Sequence, residues 1–272
     1  IQITNGENFA NRSANNHLRH SLVFSDRGII YDKNRVPLAW NEDGPEEFSV
    51  RKYIEKGGFA SLLGYVSYPK KDSAGFYYDK DIEGVTGVEK FFNNLLQPKN
   101  GLRIIETDAH NNAVSENIIR TPEPSENIQL TIDAEMQSTM YDALKNVIDT
   151  AGYVGGGSAV MDIHTGELLV LTNYPEYDSN VLADGSDHAA INRFLNDKRN
   201  PFLNRVVDGL YAPGSIVKPY VAVGALQERI INTTDKIVST EYITVPNPYN
   251  PDNPTLFRDY QAYGPVNIRE AL

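Results

Sequence analysis

A hydroxyl nucleophile and an amine stand three residues apart in Leu210-Tyr-Ala-Pro-Gly-Ser-Ile-Val-Lys-Pro219, as Ser215 and Lys218. Residues at i and i+3 of a helix share a face, so the amine of Lys218 can be brought to the Ser215 hydroxyl. Serine is a poor nucleophile until a neighbouring base takes its proton, and a lysine does so when its own pKa is lowered. A helix start assists, because its positive dipole end disfavours a further positive charge. The Pro-Gly turn before Ser215 and the apolar run after it place the pair at such a start. Alone, the same tetrapeptide equally describes a capping serine followed by a solvated lysine.

The elements that must hold this pair fall into two parts. In the first, β-prone runs flank turns at Ser25-Asp-Arg-Gly28 and Asp32-Lys-Asn-Arg35. Val88–Leu96 has helical spacing, and 101–114 reads as a hairpin about Asp108–Asn112. Pro122-Glu-Pro-Ser-Glu126 interrupts regular structure and sets a domain junction near residue 122. In the second part Asp133 caps a helix whose buried stripe is expected through Met136, Met140, Leu144, Val147 and Ile148. Gly155-Gly-Gly157 reads as a flexible turn, followed by a hairpin about His164-Thr-Gly166. A short helix is expected within 192–203. A long one is expected from Ser215, with Val217, Val221, Ala225 and Leu226 facing a core. Residues 245–254 read as a loop, and 268–272 as a helix cut short.

Composition excludes several functions. The 272 residues carry a net charge of -11, against the clustered Lys and Arg that a phosphate backbone requires. There is no cysteine, hence no disulfide and no thiolate metal site. No apolar run is long enough to span a membrane. His17 and His20 have no acidic partner at metal-ligand spacing, and read as solvated. The acidic stretches Glu42–Glu47 and Asp79–Glu83 read as solvated loops. The chain opens at Ile1, so an upstream segment is expected to have been removed.

Ser-x-x-Lys is one signature of serine β-lactamases and penicillin-binding proteins. Five further stretches join it: RGIIYDKNRVPLAWN (27–41), FASLLGYVS (59–67), GVTGVEKFFNNLL (84–96), NIQLTIDAEMQ (127–137) and AVMDIHTGELLVLTNYPEYDSN (159–180). In that order they resemble the class B penicillin-binding proteins, most closely the elongation-type penicillin-binding protein 2 group. Ser61 stands where that family often has histidine.

The resemblance implies an α+β fold: an elongated, strand-rich pedestal over 1–122, then the N-terminal part of a serine β-lactamase-like transpeptidase domain over 123–272. It implies D,D-transpeptidation of peptidoglycan stem peptides through an acyl-enzyme on Ser215, with Lys218 as base and the Ser215 N–H as one oxyanion donor. β-Lactams would acylate the same serine. No cofactor is implied. The implied partners are stem peptides, β-lactams and a membrane glycosyltransferase of the elongation machinery, and nucleic acid is not among them. The implied location is the periplasmic face of the inner membrane, with the membrane anchor outside this chain. Arg27, Asp32, Gly64, Glu89, Asp162 and Arg205 fall on family motifs as structural residues. The family's Ser-x-Asn and Lys-Thr-Gly motifs do not follow Ser215, so this chain alone is expected to be nearly inactive. Only 17 residues separate Asn41 from Phe59, so a head subdomain is expected to be missing near residue 50. A penicillin-recognising sensor or a noncatalytic scaffold is the alternative. A β-lactamase fits less well, having no use for a pedestal.

Overall fold

The computed structural model describes residues 18–73, 75–107 and 113–272. Two compact units divide after Gly209. The fold is α+β, as expected.

In the first unit β1 (Leu18–Val23), β9 (Gly101–Thr107) and β10 (Ala113–Arg120) form an antiparallel sheet with β9 in the centre. The expected hairpin is present as the β9–β10 pair, and residues 108–112 lie outside the described residues. A second sheet is ordered β11-β2-β3-β4, from Ile128–Gln129, Ile30–Tyr31, Pro37–Glu42 and Val50–Tyr53. Within it β11 runs parallel to β2 and the other pairs are antiparallel. Residues 43–49 join β3 to β4, with Glu42 opposite Val50, so strand pairing continues without a break through residue 50.

Short elements follow: α1 (Ala60–Leu63), β5 (Val66–Ser67), β6 (Lys70–Lys71), β7 (Tyr77–Asp79) and β8 (Glu83–Gly84). The helix expected over 88–96 is broken into α2 (Gly87–Phe91) and α3 (Asn93–Leu96). At the break the Glu89 carbonyl accepts from Arg27 Nη2 at 2.9 Å.

Asp133 caps α4 (Ala134–Ala151), its side chain accepting from the Glu135 and Met136 N–H groups. Of the expected stripe, Ile148 is buried and Met140 and Leu144 are half-buried, while Met136 and Val147 are exposed and Ala134 and Gln137 are buried as well. Gln137 turns inward because its amide donates to the Leu171 carbonyl and accepts from the Leu171 N–H. β12 (Gly156–Met161) and β13 (Leu168–Tyr174) form the expected hairpin. The triple glycine is not a flexible turn. A Cβ on Gly155 would lie 2.5 Å from Arg205 Nε, and one on Gly157 2.6 Å from Val206 Cγ2, so bare backbone is what lets the chain pack there.

Helices α5 (Ser179–Asp184) and α6 (His188–Asn196) are capped by Asp178 and Asp187. The second begins four residues before the expected 192. One apolar cluster, including Ile30, Leu38, Phe59, Leu63, Leu96, Ile132 and Ala183, joins residues on both sides of Pro122. No helix among the described residues is long and apolar enough to cross a membrane.

The second unit, 210–272, holds a 3-10 turn (Gly214–Val217) running into α7 (Lys218–Gln227). β14 (Ile237–Ser239) pairs with β17 (Gly264–Val266), and β15 (Tyr242–Val245) with β16 (Thr255–Arg258). The proline-rich loop expected over 245–254 is the connection of that second hairpin. α8 (Ile268–Ala271) opens with a capping box between Asn267 and Glu270.

Candidate active site

Ser215 does not itself open an α-helix. It lies in the 3-10 turn, and the α-helix starts at Lys218. Pro219 supplies the reason. An α-helical bond to the Ser215 carbonyl would have to come from the N–H of residue 219, which proline lacks. The carbonyl takes the Lys218 N–H instead, an i to i+3 bond. With three residues per turn, positions i and i+3 eclipse one another, which puts Ser215 and Lys218 on one face of the turn. Gly214, at φ +57°, provides the left-handed step that leads in.

Both side chains are exposed, and neither makes a hydrogen bond or ion pair with another described residue. The helix behind them is apolar on every side, yet Tyr220, Val221 and Val223 are exposed. The expected core of Val217, Val221, Ala225 and Leu226 is therefore not assembled: only Ala225 and Leu226 are partly buried. The pair is aligned but not enclosed.

The motif residues of the first unit are tied into structure. Arg27 donates to the Glu89 carboxylate (2.7 Å), the Ile82 carbonyl (2.8 Å) and Asn93 Oδ1 (2.8 Å). Asp32 is buried; its Oδ1 accepts from the Asn34 and Val36 N–H groups and its Oδ2 from Ala134, closing the β2–β3 turn against α4. Asp162 Oδ1 accepts from the His164 and Thr165 N–H groups at the hairpin turn. Arg205 donates to the carbonyls of Arg199, Asn200 and Leu203, and its own N–H is held by Asn173. His20 is exposed on β1, and His17 lies outside the described residues.

Two further residues are not singled out by the sequence. Arg51 completes the Glu89 site, its Nε 2.8 Å from Oε1. Glu176 accepts from the Gly58 N–H (2.5 Å) and the Ala60 N–H (2.9 Å). Burial pushes its carboxyl up to about 7, although the backbone donors pull the other way. It lines a cavity of about 560 Å3 with Trp40, Lys52, Tyr53, Phe59 and Tyr141. An acid set between Pro175 and Tyr177 at a strand end is the available signal.

Residues 156–272 match a penicillin binding protein transpeptidase domain, and 44–130 a penicillin-binding protein dimerisation domain. The solved structure of Pseudomonas aeruginosa PBP2 in complex with WCK 5153 superposes with a TM-score of 0.69 at 27% identity, over 93% of this chain and 51% of that one. The chain belongs to the class B penicillin-binding proteins, in the penicillin-binding protein 2 group.

Among curated relatives of this class B protein, the peptidoglycan D,D-transpeptidase MrdA of Salmonella typhimurium is 30% identical over 235 residues, covering 82% of this chain and 36% of the relative. The Escherichia coli protein of the same name is 23% identical over 362 aligned positions, against 272 residues here, covering all of this chain and 54% of the relative. The chain thus spans about a third to a half of these relatives. The Helicobacter pylori PBP2 complex with MreC shares the fold at a TM-score of 0.70 and 23% identity, over 93% of this chain and 60% of that one.

Proposed function

We propose that this class B penicillin-binding protein is a peptidoglycan D,D-transpeptidase that uses Ser215 as nucleophile and Lys218 as base. The placement of these two residues three apart at a 3-10 turn, inside the region matched by the transpeptidase domain, is the observation that carries the reading. The Ser215 oxygen attacks the carbonyl of the penultimate D-alanine while Lys218 takes its proton. The tetrahedral oxyanion is stabilised by the Ser215 N–H together with a second donor. The C–N bond breaks, the terminal D-alanine leaves with the proton, and a stem-peptide amine resolves the ester. A β-lactam would enter the same path and stop at the acyl-enzyme.

Residues 1–122 would serve as pedestal and 123–272 as the start of the transpeptidase domain. A location on the outer face of the inner membrane, beside a glycosyltransferase, follows from the same reading. MreC is the partner of the Helicobacter pylori protein in its complex, and a related protein is a candidate partner here.

Labelling with a fluorescent penicillin in the full-length protein tests the assignment. Covalent label on Ser215, lost in Ser215→Ala, is expected. Label that survives the substitution, or none in the native protein, defeats it. Fast labelling without transfer of a stem-peptide donor would instead mark a sensor.

A further inference from the structure

A cavity of about 560 Å3 lies in the first unit, between β3, β4, α4, α6 and the segments 54–57 and 176–180. Ser215 and Lys218 belong to the second unit and take no part in it. Its size falls in the range of small-molecule sites, about 300–1,000 Å3. The aromatic walls are fixed in place. Trp40 Nε1 donates to Glu42 Oε1 at 3.0 Å, which ties the indole to its own strand. A Cβ on Gly57 would lie 2.3 Å from Tyr141 Cε1, so that ring rests on bare backbone. Tyr174 meets the same ring edge-on, with centroids 5.8 Å apart. Phe194 contributes from α6.

Half of the charged groups in the lining are already engaged. The Glu176 carboxyl takes the Gly58 and Ala60 N–H groups on separate oxygens, Asp178 caps α5, and Lys56 pairs with Glu135. Three groups are left. Lys52 and Glu55 make no side-chain hydrogen bond or ion pair with another described residue, and Glu42 uses one oxygen only, for Trp40. Lys52 stands opposite Trp40 across the β3–β4 pair and diagonal to Glu42, yet no ion pair joins it to either acid. Unpaired charge of both signs selects among ligands. An anion would meet Glu42 and Glu55, a cation would meet Lys52, and an uncharged ligand would cover all three without pairing them. A ligand that carries both charges on a short frame satisfies them together.

We propose that this cavity binds a free amino acid or short peptide as its zwitterion, with the carboxylate on Lys52, the ammonium on Glu42 and Glu55, and the side chain against Trp40 and Tyr141. Charge-assisted hydrogen bonds anchor the two ends, and the rings cover the apolar part between them.

Trp40 is the one tryptophan in the 272 residues, so intrinsic emission reports on the cavity wall directly. The intact chain is titrated with the dipeptide Gly-Leu, its N-acetyl form and its C-terminal amide. A saturable change in emission is expected with the free dipeptide, and binding about tenfold or more weaker with each blocked form. Lys52→Met is expected to bind the amide as tightly as the free dipeptide. Glu42→Gln combined with Glu55→Gln is expected to bind the N-acetyl form as tightly as the free one. No saturable change up to about 10 mM free dipeptide, equal binding of the three forms, or a loss confined to one block overturns the proposal. So does discrimination that survives in the variants. Should a variant not fold, the three native titrations decide alone.

Discussion

Arg27 and Glu89, 62 positions apart, meet Nε to Oε2 at 2.7 Å with neither side chain exposed. Arg51 takes the other carboxylate oxygen at 2.8 Å, so one acid holds two buried guanidinium groups. Removing one member of a buried ion group leaves uncompensated charge, which costs about 3–5 kcal/mol. Glu89→Gln is expected to lower the unfolding free energy by that order in urea titrations. A loss below about 1 kcal/mol would show that the guanidinium groups are solvated in solution.

Gln137 sews α4 to two other segments. Its Nε2 donates to the Gly58 and Leu171 carbonyls at 2.6 and 2.8 Å, and its Oε1 accepts from the Leu171 N–H at 2.8 Å. Gln137→Ala strands these backbone groups, at about 1–3 kcal/mol for each left unsatisfied. Thermal unfolding should therefore fall by several degrees. Gln137→Leu fills the space without the bonds and is expected to recover little of the loss.

Two glycines with positive φ separate strain from crowding. Gly64 has φ +78°, and a Cβ there would sit 2.0 Å from the Thr86 carbonyl oxygen. Gly185 has φ +71° with nothing within 4 Å. Gly185→Ala is expected to cost about 1–3 kcal/mol, the strain of the left-handed backbone alone. Gly64→Ala must also displace a carbonyl, so its loss of stability should clearly exceed that of Gly185→Ala. Equal losses would refute the crowding argument.

Local chemistry made much of this legible in advance. The Asp133 cap, the hairpin about His164–Gly166 and the turn at Asp32 depend on residues within a few positions, and all are found. What failed depended on partners far along the chain. The 88–96 helix breaks where Arg27 takes the Glu89 carbonyl, and a polar residue, Gln137, joins the buried face of α4 because it finds Leu171. Periodicity carries no information about either. At the site, spacing places Ser215 and Lys218 on one face, while the 3-10 character comes from the missing donor of Pro219.

Glu176 makes a global prediction as well. Its carboxyl is raised to about 7 in the fold from 4.5, chiefly by burial. A raised carboxyl pKa contributes stability that is fully present below the unfolded value and is lost as pH rises through the folded one. The native chain should therefore lose stability on the order of 2–3 kcal/mol between about pH 4.5 and pH 7.5 from this group. Glu176→Gln should lack this component. The difference between the two unfolding free energies, followed against pH, isolates it from other titrating groups. A difference that does not vary across this range would remove Glu176 as its source.

The alignment of Ser215 with Lys218 rests on Pro219, which makes that proline a probe of the proposed chemistry. With an N–H at position 219 the Ser215 carbonyl can accept an α-helical bond, and the turn can relax to 3.6 residues. Three residues then rotate through about 300° rather than 360°, which swings the hydroxyl about 60° from the amine. Misplacement of reacting groups by about 1 Å can cost 10²-fold in rate. Pro219→Ala in the full-length protein is therefore expected to slow acylation by fluorescent penicillin about tenfold or more, without the complete loss expected of Ser215→Ala. Amide exchange at the substituted position reports the cause, since a protected N–H there marks the new helical bond. If that bond forms and acylation keeps its native rate, eclipsing is not what brings Lys218 to Ser215.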